Sequence, residues 1–192
     1  MKPHPALTDE ALINGIIQGE NKDLFSEIYR RYREKVSDKC FGMTHNRSIA
    51  EDLTQDIFVK TMEKLTGFRN QSQFSTWLYA ITYNHCIEYL RKTKRIRFDD
   101  WESALDIPDE VEDVDVKMVL ELAEERLTLL LEMLKPEDKA IIVMKFHENM
   151  SVKSIQEILH LATDSAAKMK INRAKKRLVA LYQKFYPALK ES

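Results

Sequence analysis

Apolar residues along this 192-residue chain recur at three- and four-residue intervals almost throughout, and no stretch alternates as a half-buried strand does. Leu12, Ile13, Ile16 and Ile17 form a first helical stripe that Thr8 can cap and that Gly19 and Asn21 end. A second helix is predicted from about Lys22, with Leu24, Phe25, Ile28, Tyr29, Tyr32 and Val36 as its stripe. Ser48-Ile49-Ala50-Glu51 reads as a capping box opening a third helix, which continues to about Leu65 and ends near Gly67. The fourth carries FSTWLYAITYNHCIEYLRKTKR, residues 74–95. The pattern then fails in FDDWESALDIPDEVEDVD, residues 98–115, where nine carboxylates, no base and Pro108 predict an extended linker with at most a short helical turn. Helicity resumes near Val116 and runs to Leu134. Pro136 suits the first turn of a helix ending around His147. Ser151 can cap a short helix to His160, and Asp164 a last long one to about Phe185. The expectation is an all-α chain of two helical domains joined by an acidic linker.

Composition agrees, since only four glycines and five prolines punctuate the sequence. The net charge of −1 conceals a strong layout. Residues 1–97 hold sixteen Lys/Arg against twelve Asp/Glu; residues 98–135 hold three against thirteen; residues 136–192 hold eleven against six. Two mildly basic ends flank an acidic middle, which points to charged partners. No apolar run has the length of a membrane span, and MKPHPALTDE lacks the apolar stretch of a signal peptide. Cys40 and Cys86 have no CxxC spacing and suggest no disulfide framework. A soluble, reduced, cytoplasmic protein without membrane insertion is expected.

On the fourth helix Tyr79, Tyr83, Cys86, Ile87 and Leu90 share one face, expected to be buried. The other begins with Phe74, Trp77, Leu78 and Ile81 and turns polar and basic through Asn84, His85, Glu88, Arg91 and Lys92. Composition alone favours plain burial of the aromatics and a solvated basic end. The competing reading is a surface for single-stranded nucleic acid, where stacking and phosphate attraction meet.

The ordered series DLTQDIFVK, FRNQSQFSTWLYAITYN and the basic helix end resembles the second domain of bacterial sigma factors of the extracytoplasmic-function (ECF) group. In that family the domain binds the clamp helices of RNA polymerase and melts the promoter −10 element. The resemblance implies that the fourth helix is core on one face and meets DNA on the other. On the third helix Asp52, Gln55, Asp56 and Val59 share a face, and the first three match positions where the family contacts polymerase. Phe58 and Met62 lie to another side and are expected in the core. The loop FRNQSQ, residues 68–73, matches the loop that holds a flipped-out base of the non-template strand. The expected −10 contacts are Phe68, Asn70, Gln71, Ser72, Trp77, Asn84, Arg91 and Lys92.

Residues 116–185 resemble the fourth sigma domain, with a helix-turn-helix in KSIQEILHLATDSAAKMKINRAKKRL. On the last helix Ile171, Ala174, Leu178, Leu181, Tyr182 and Phe185 form an inward stripe, while Ser165 to Lys184 hold seven basic residues and no acid. The family match implies −35 element contacts at Lys168, Met169, Lys170, Asn172 and Arg173, where a helix enters the major groove. His160 stands where the family turn usually has Gly, and LHLATDSAAK is one residue longer than the common pattern. The resemblance thus divides the chain into sigma domain 2 (residues 9–97), linker (98–115) and sigma domain 4 (116–185). The linker's carboxylates either keep it extended or mimic RNA in a basic polymerase channel.

The implied function is promoter-specific transcription initiation, with core RNA polymerase and promoter DNA as partners and an anti-sigma factor as a further one. No cofactor and no enzymatic activity are expected. The glycines at 15, 19, 42 and 67 form no phosphate-cradling loop. His147-Glu148 opens an HExxH pattern that Ser151 breaks, and the histidines form no metal-spaced cluster with the cysteines. The alternative is a helix-turn-helix regulator that is not a polymerase subunit, which accounts for the C-terminal half only.

Overall fold

A computed structural model describes residues 7–19, 23–69, 72–94, 107 and 113–186. Among these residues all regular structure is helical. The chain divides by its internal contacts into two compact units, Met1–Cys86 and Ile87–Ser192. The division falls inside a helix that itself continues to Lys94. Most of the expected linker lies outside the described residues, together with Asn21, Asn70 and Gln71.

The first unit holds α1 (Asp9–Ile17), α2 (Asp23–Thr44), α3 (Arg47–Lys64), a 3-10 turn at Leu65–Gly67, and the first part of α4, which spans Phe74–Lys94. Thr8 caps α1 as expected, accepting from the Ala11 amide. Leu12 and Ile13 are buried, but Ile17 is exposed at the helix end. Asp9 reaches across to α2, accepting from Arg31 Nη1 at 2.9 Å and from the Tyr32 hydroxyl. α2 packs on α3 through Phe25 and Tyr29, both edge-on to Phe58. The capping box at Ser48 does not form. Asn46 is the N-cap, its Oδ1 accepting from the Ile49 amide at 3.1 Å, so α3 starts one residue before Ser48. His45, in the left-handed region at φ 49°, makes the reversal that brings Asn46 into this position.

Tyr83, Cys86, Ile87 and Leu90 of α4 are buried as expected, with Tyr79 half-buried. Phe74 and Leu78, expected on the opposite face, are buried too, so α4 presents a wide apolar arc to its neighbours. Phe74 meets Tyr32 of α2 edge-on at 5.4 Å. Burial of a side chain of this size is worth about 1.5–3 kcal/mol.

The second unit contains α5 (Asp113–Leu120), α6 (Glu124–Met133), α7 (Pro136–Ile142) with a wider π turn at Val143–His147, α8 (Val152–Ile158) and α9 (Asp164–Phe185). The continuous helix expected from Val116 to Leu134 is two helices, broken at 121–123. The first begins at Asp113, inside the stretch expected to be linker. Apolar spacing carries across the break without a Gly or Pro, which is why the pattern does not mark it. α9 packs across α5, α6, α7 and α8. Ile171, Ala174, Leu178, Leu181 and Tyr182 line its inner face; Phe185, expected with them, is exposed in the last turn. Two polar pairs are set into this core. Fully buried Lys139 bonds Glu132 Oε1 at 2.5 Å, and Arg177 Nη1 bonds Asp138 Oδ2 at 2.6 Å. Each buried charge needs such a partner, since an unpaired one costs several kcal/mol.

Candidate polymerase and nucleic-acid interfaces

The outer face of α3 reverses the usual pattern. Thr54 and Thr61 are buried, their hydroxyls donating to the carbonyls of Ala50 and Ile57 at 2.6 and 2.7 Å. This back-bonding satisfies each hydroxyl within its own helix and lets polar residues join the core. Val59 and Met62 instead stand 59% and 58% exposed, on the same side as exposed Asp52, Gln55 and Asp56. Met62 therefore leaves the core to which its spacing assigned it and extends the Asp52-Gln55-Asp56-Val59 face by another turn; Phe58 remains buried.

A bridge missed by sequence reasoning joins α3 to α4. Lys60 Nζ donates to His85 Nδ1 at 2.8 Å, and His85 Nε2 faces Asp56 Oδ2 at 3.6 Å. Accepting at Nδ1 leaves the neutral ring's proton on Nε2, directed at the carboxylate. Lys60 and His85 are 25 residues apart, and nothing in their local patterns signals the pairing.

The residues expected at melted DNA separate into distinct environments. Phe68 is buried, with its ring centroid 5.8 Å from that of Phe74 and 5.2 Å from that of Trp77. This burial between two aromatic rings differs from the exposed surface position that a direct DNA contact would need. Trp77 and Ser72 are half-buried, and Asn84, Arg91 and Lys92 are exposed on α4. Lys92 Nζ pairs with Glu88 at 2.7 Å, an exposed i,i+4 bridge worth a few tenths of a kcal/mol. Asn70 and Gln71 lie outside the described residues.

In the second unit α8, a tight turn and α9 form the helix-turn-helix. Ser151 caps α8 by accepting from the Ser154 amide at 3.0 Å. His160 adopts φ 51°, the conformation that glycine adopts at least cost. The amides of His160 and Leu161 close a Schellman turn onto the carbonyls of Glu157 and Gln156 at 3.2 and 2.9 Å. Gln156 Nε2 ties the turn again by donating to the Leu161 carbonyl at 3.2 Å. Thr163, not Asp164, caps α9: its Oγ1 accepts from the Ala166 amide at 3.1 Å, leaving Asp164 in the first turn.

At about 100° per residue, burial of Ala167, Ile171, Ala174 and Leu178 aims Met169, Asn172 and Arg173 outward. Lys168 and Lys170 flank that line, so all five expected −35 residues are exposed but in different directions. Lys168 Nζ also pairs with Asp164 Oδ2 at 2.6 Å.

Comparison with known proteins finds two matches in succession along the chain. The family model described as Sigma-70 region 2 matches residues 28–96, and that described as Sigma-70, region 4 matches residues 124–178. The ECF RNA polymerase sigma factor SigW of Bacillus subtilis is 31% identical over 169 residues, covering 82% of this chain and 88% of the relative. The RNA polymerase sigma factor YlaC of the same organism is 28% identical over 147 residues, covering 73% and 82%. The fold is similar to that of the sigma factor RpoE of Bartonella quintana, solved with the anti-sigma factor NepR, at a TM-score of 0.54 and 19% identity over 84% of this chain and 98% of that one. The chain thus belongs to the extracytoplasmic-function group of the sigma-70 family, sigma factors that join core RNA polymerase and direct initiation at specific promoters.

Proposed function

We propose that the three exposed surfaces divide the work of this sigma factor. The outer face of α3 docks on core polymerase, with Val59 and Met62 as an apolar centre and Asp52, Gln55 and Asp56 as its polar surround. The observation that carries this reading is the exposure of two large apolar side chains on a helix that buries two threonines. Apolar residues ringed by polar ones are the usual anatomy of a protein interface. The Lys60–His85 bridge lets this face and α4 act as one body.

The −10 strand lies along α4, past Trp77, Asn84, Arg91 and Lys92, with Asn70, Gln71 and Ser72 taking the flipped base. Phe68 acts from beneath by holding Trp77. The −35 element is read by α9, where Arg173 and Asn172 meet base edges, Met169 meets a thymine methyl, and flanking Lys168 and Lys170 hold phosphates. Sigma factors are generally regulatory subunits without catalysis, and we assign this chain no reaction of its own. Among the described residues no helix is long and apolar enough to cross a membrane, and we place the protein in the cytoplasm, with an anti-sigma factor as regulator. The test is open-complex formation with core polymerase, followed by permanganate reactivity of promoter thymines. Trp77→Ala and Asn84→Ala should reduce melting while leaving core binding intact. Undiminished melting in both variants would remove α4 from the DNA path.

A further inference from the structure

The chain has two cysteines, 46 residues apart in sequence, and the fold brings them together. Cys40 of α2 and Cys86 of α4 are both fully buried, with Sγ atoms 3.7 Å apart and the Cys86 thiol donating to Cys40. We propose that Cys40 and Cys86 form a modification site: peroxide converts them to an intramolecular disulfide that lowers initiation, and thiol reductants restore it.

The chemistry needs one peroxide and no other reactant. The Cys40 thiolate attacks one peroxide oxygen, the O–O bond breaks, and the sulfur becomes a sulfenic acid as the first water leaves. The Cys86 sulfur then attacks that sulfenic sulfur, the S–O bond breaks, and the second water leaves as the S–S bond forms. Two thiols are oxidised and one peroxide is reduced to two waters. Cys40 is the attacking nucleophile, because the hydrogen bond from Cys86 holds its thiol below the usual range against the opposing effect of burial.

Closing the bond brings the sulfurs from 3.7 Å to about 2.05 Å, so both side chains must turn from their present positions and the close-packed residues around them on α2 and α4 must shift. Next to Cys86 on α4 are His85, whose ring is held by Lys60 of α3, and exposed Asn84. The shift therefore acts on the bridge between the proposed polymerase face and the proposed DNA face. Full burial makes the reaction wait for local opening of the core, so it should run slower than oxidation of an exposed thiol.

The functional half of this inference rests on the sigma-factor role; the covalent half does not. Full-length protein would be treated with hydrogen peroxide, quenched and split between non-reducing peptide mapping and initiation assays with core polymerase. The expected result is a peptide linking Cys40 to Cys86 with the mass loss of two hydrogens, and a several-fold loss of initiation reversed by dithiothreitol. Cys40→Ser and Cys86→Ser should each abolish the link and the peroxide effect. The linked peptide in the natural chain is decisive even where a variant folds poorly. Absence of the link under peroxide that oxidises the denatured chain overturns the proposal, as does a link that leaves initiation unchanged or a loss of initiation without a link. Failure of the reduced protein to initiate at all would instead count against the sigma-factor role.

Discussion

The outer faces of α3 and α9 are both exposed and both assigned to macromolecular partners, yet they are built on opposite rules. α9 keeps its inner face apolar, with Ile171, Ala174 and Leu178 buried, while Lys168, Lys170 and Arg173 stand exposed around Met169 and Asn172 on its outer side. Charge alone thus gives it an electrostatic approach to a phosphate backbone, before any base is read. α3 exposes Val59 and Met62 and buries Thr54 and Thr61. Its outer surface is acidic and apolar, suited to a protein partner and ill suited to DNA. The two helices teach that a surface for nucleic acid is recognised by accumulated charge, whereas one for protein is recognised by apolar residues that the fold declines to bury.

This contrast can be broken first through its scaffold. Phe74→Ala, which empties space between Tyr32, Phe68 and Trp77, should cost the first unit about 3–5 kcal/mol in denaturant unfolding. Half-buried Trp77→Ala should cost less in stability while still impairing promoter melting. Equal destabilisation by the two would place Trp77 in the core and weaken the assignment of α4 to DNA.

The second test sharpens the reading of α9. Arg173→Ala should lose about 1–3 kcal/mol of binding on the preferred −35 site and relax preference at one base pair. Lys168→Ala and Lys170→Ala should weaken binding to all sequences alike and reduce the salt slope by about one. Titrations of each variant at several salt concentrations, against the site and its point variants, separate these patterns. Uniform loss in all three would make α9 an electrostatic anchor that leaves base reading to other residues.

Smaller effects probe the turn that positions α9. Thr163→Ala removes the hydroxyl that accepts from the Ala166 amide and should cost about 1 kcal/mol in thermal or denaturant unfolding of the second unit. Asp164→Ala should cost less, since Asp164 contributes only first-turn charge and an exposed bridge to Lys168. His160→Gly should stabilise the unit by about 1 kcal/mol or less, because glycine adopts φ 51° without the crowding of a Cβ. Destabilisation by that change would show that the His160 side chain makes a contact worth more than the relief.

The helices, their order and their inward faces were legible because burial imposes a 3.6-residue period that apolar residues report directly. What periodicity cannot report is competition between neighbours. Asn46 and Ser48 are both capping residues, as are Thr163 and Asp164, and only the chain's path decides which oxygen reaches the free amides. It also cannot tell exposed from buried apolar residues near a helix boundary, which is why Met62, Ile17 and Phe185 were expected inside and Phe68 at the surface. Pairings across long sequence separations, such as Lys60 with His85 and Cys40 with Cys86, have no local signal at all. The His160 turn is the opposite case. A departure from the family's usual glycine is carried by a left-handed histidine inside an intact Schellman turn, so the helix-turn-helix survives the substitution.

The central claim is that α3 holds core polymerase and α9 does not. Equilibrium binding of the full chain to core RNA polymerase tests it directly, comparing the natural chain with Val59→Glu/Met62→Glu and with Arg173→Ala, each checked for intact helicity by circular dichroism. The account predicts that the double variant loses at least ~2 kcal/mol of core affinity, as expected when a buried interface centre is made charged, while Arg173→Ala binds core as tightly as the natural chain. Core affinity unchanged in the double variant, or reduced equally in both, would contradict it.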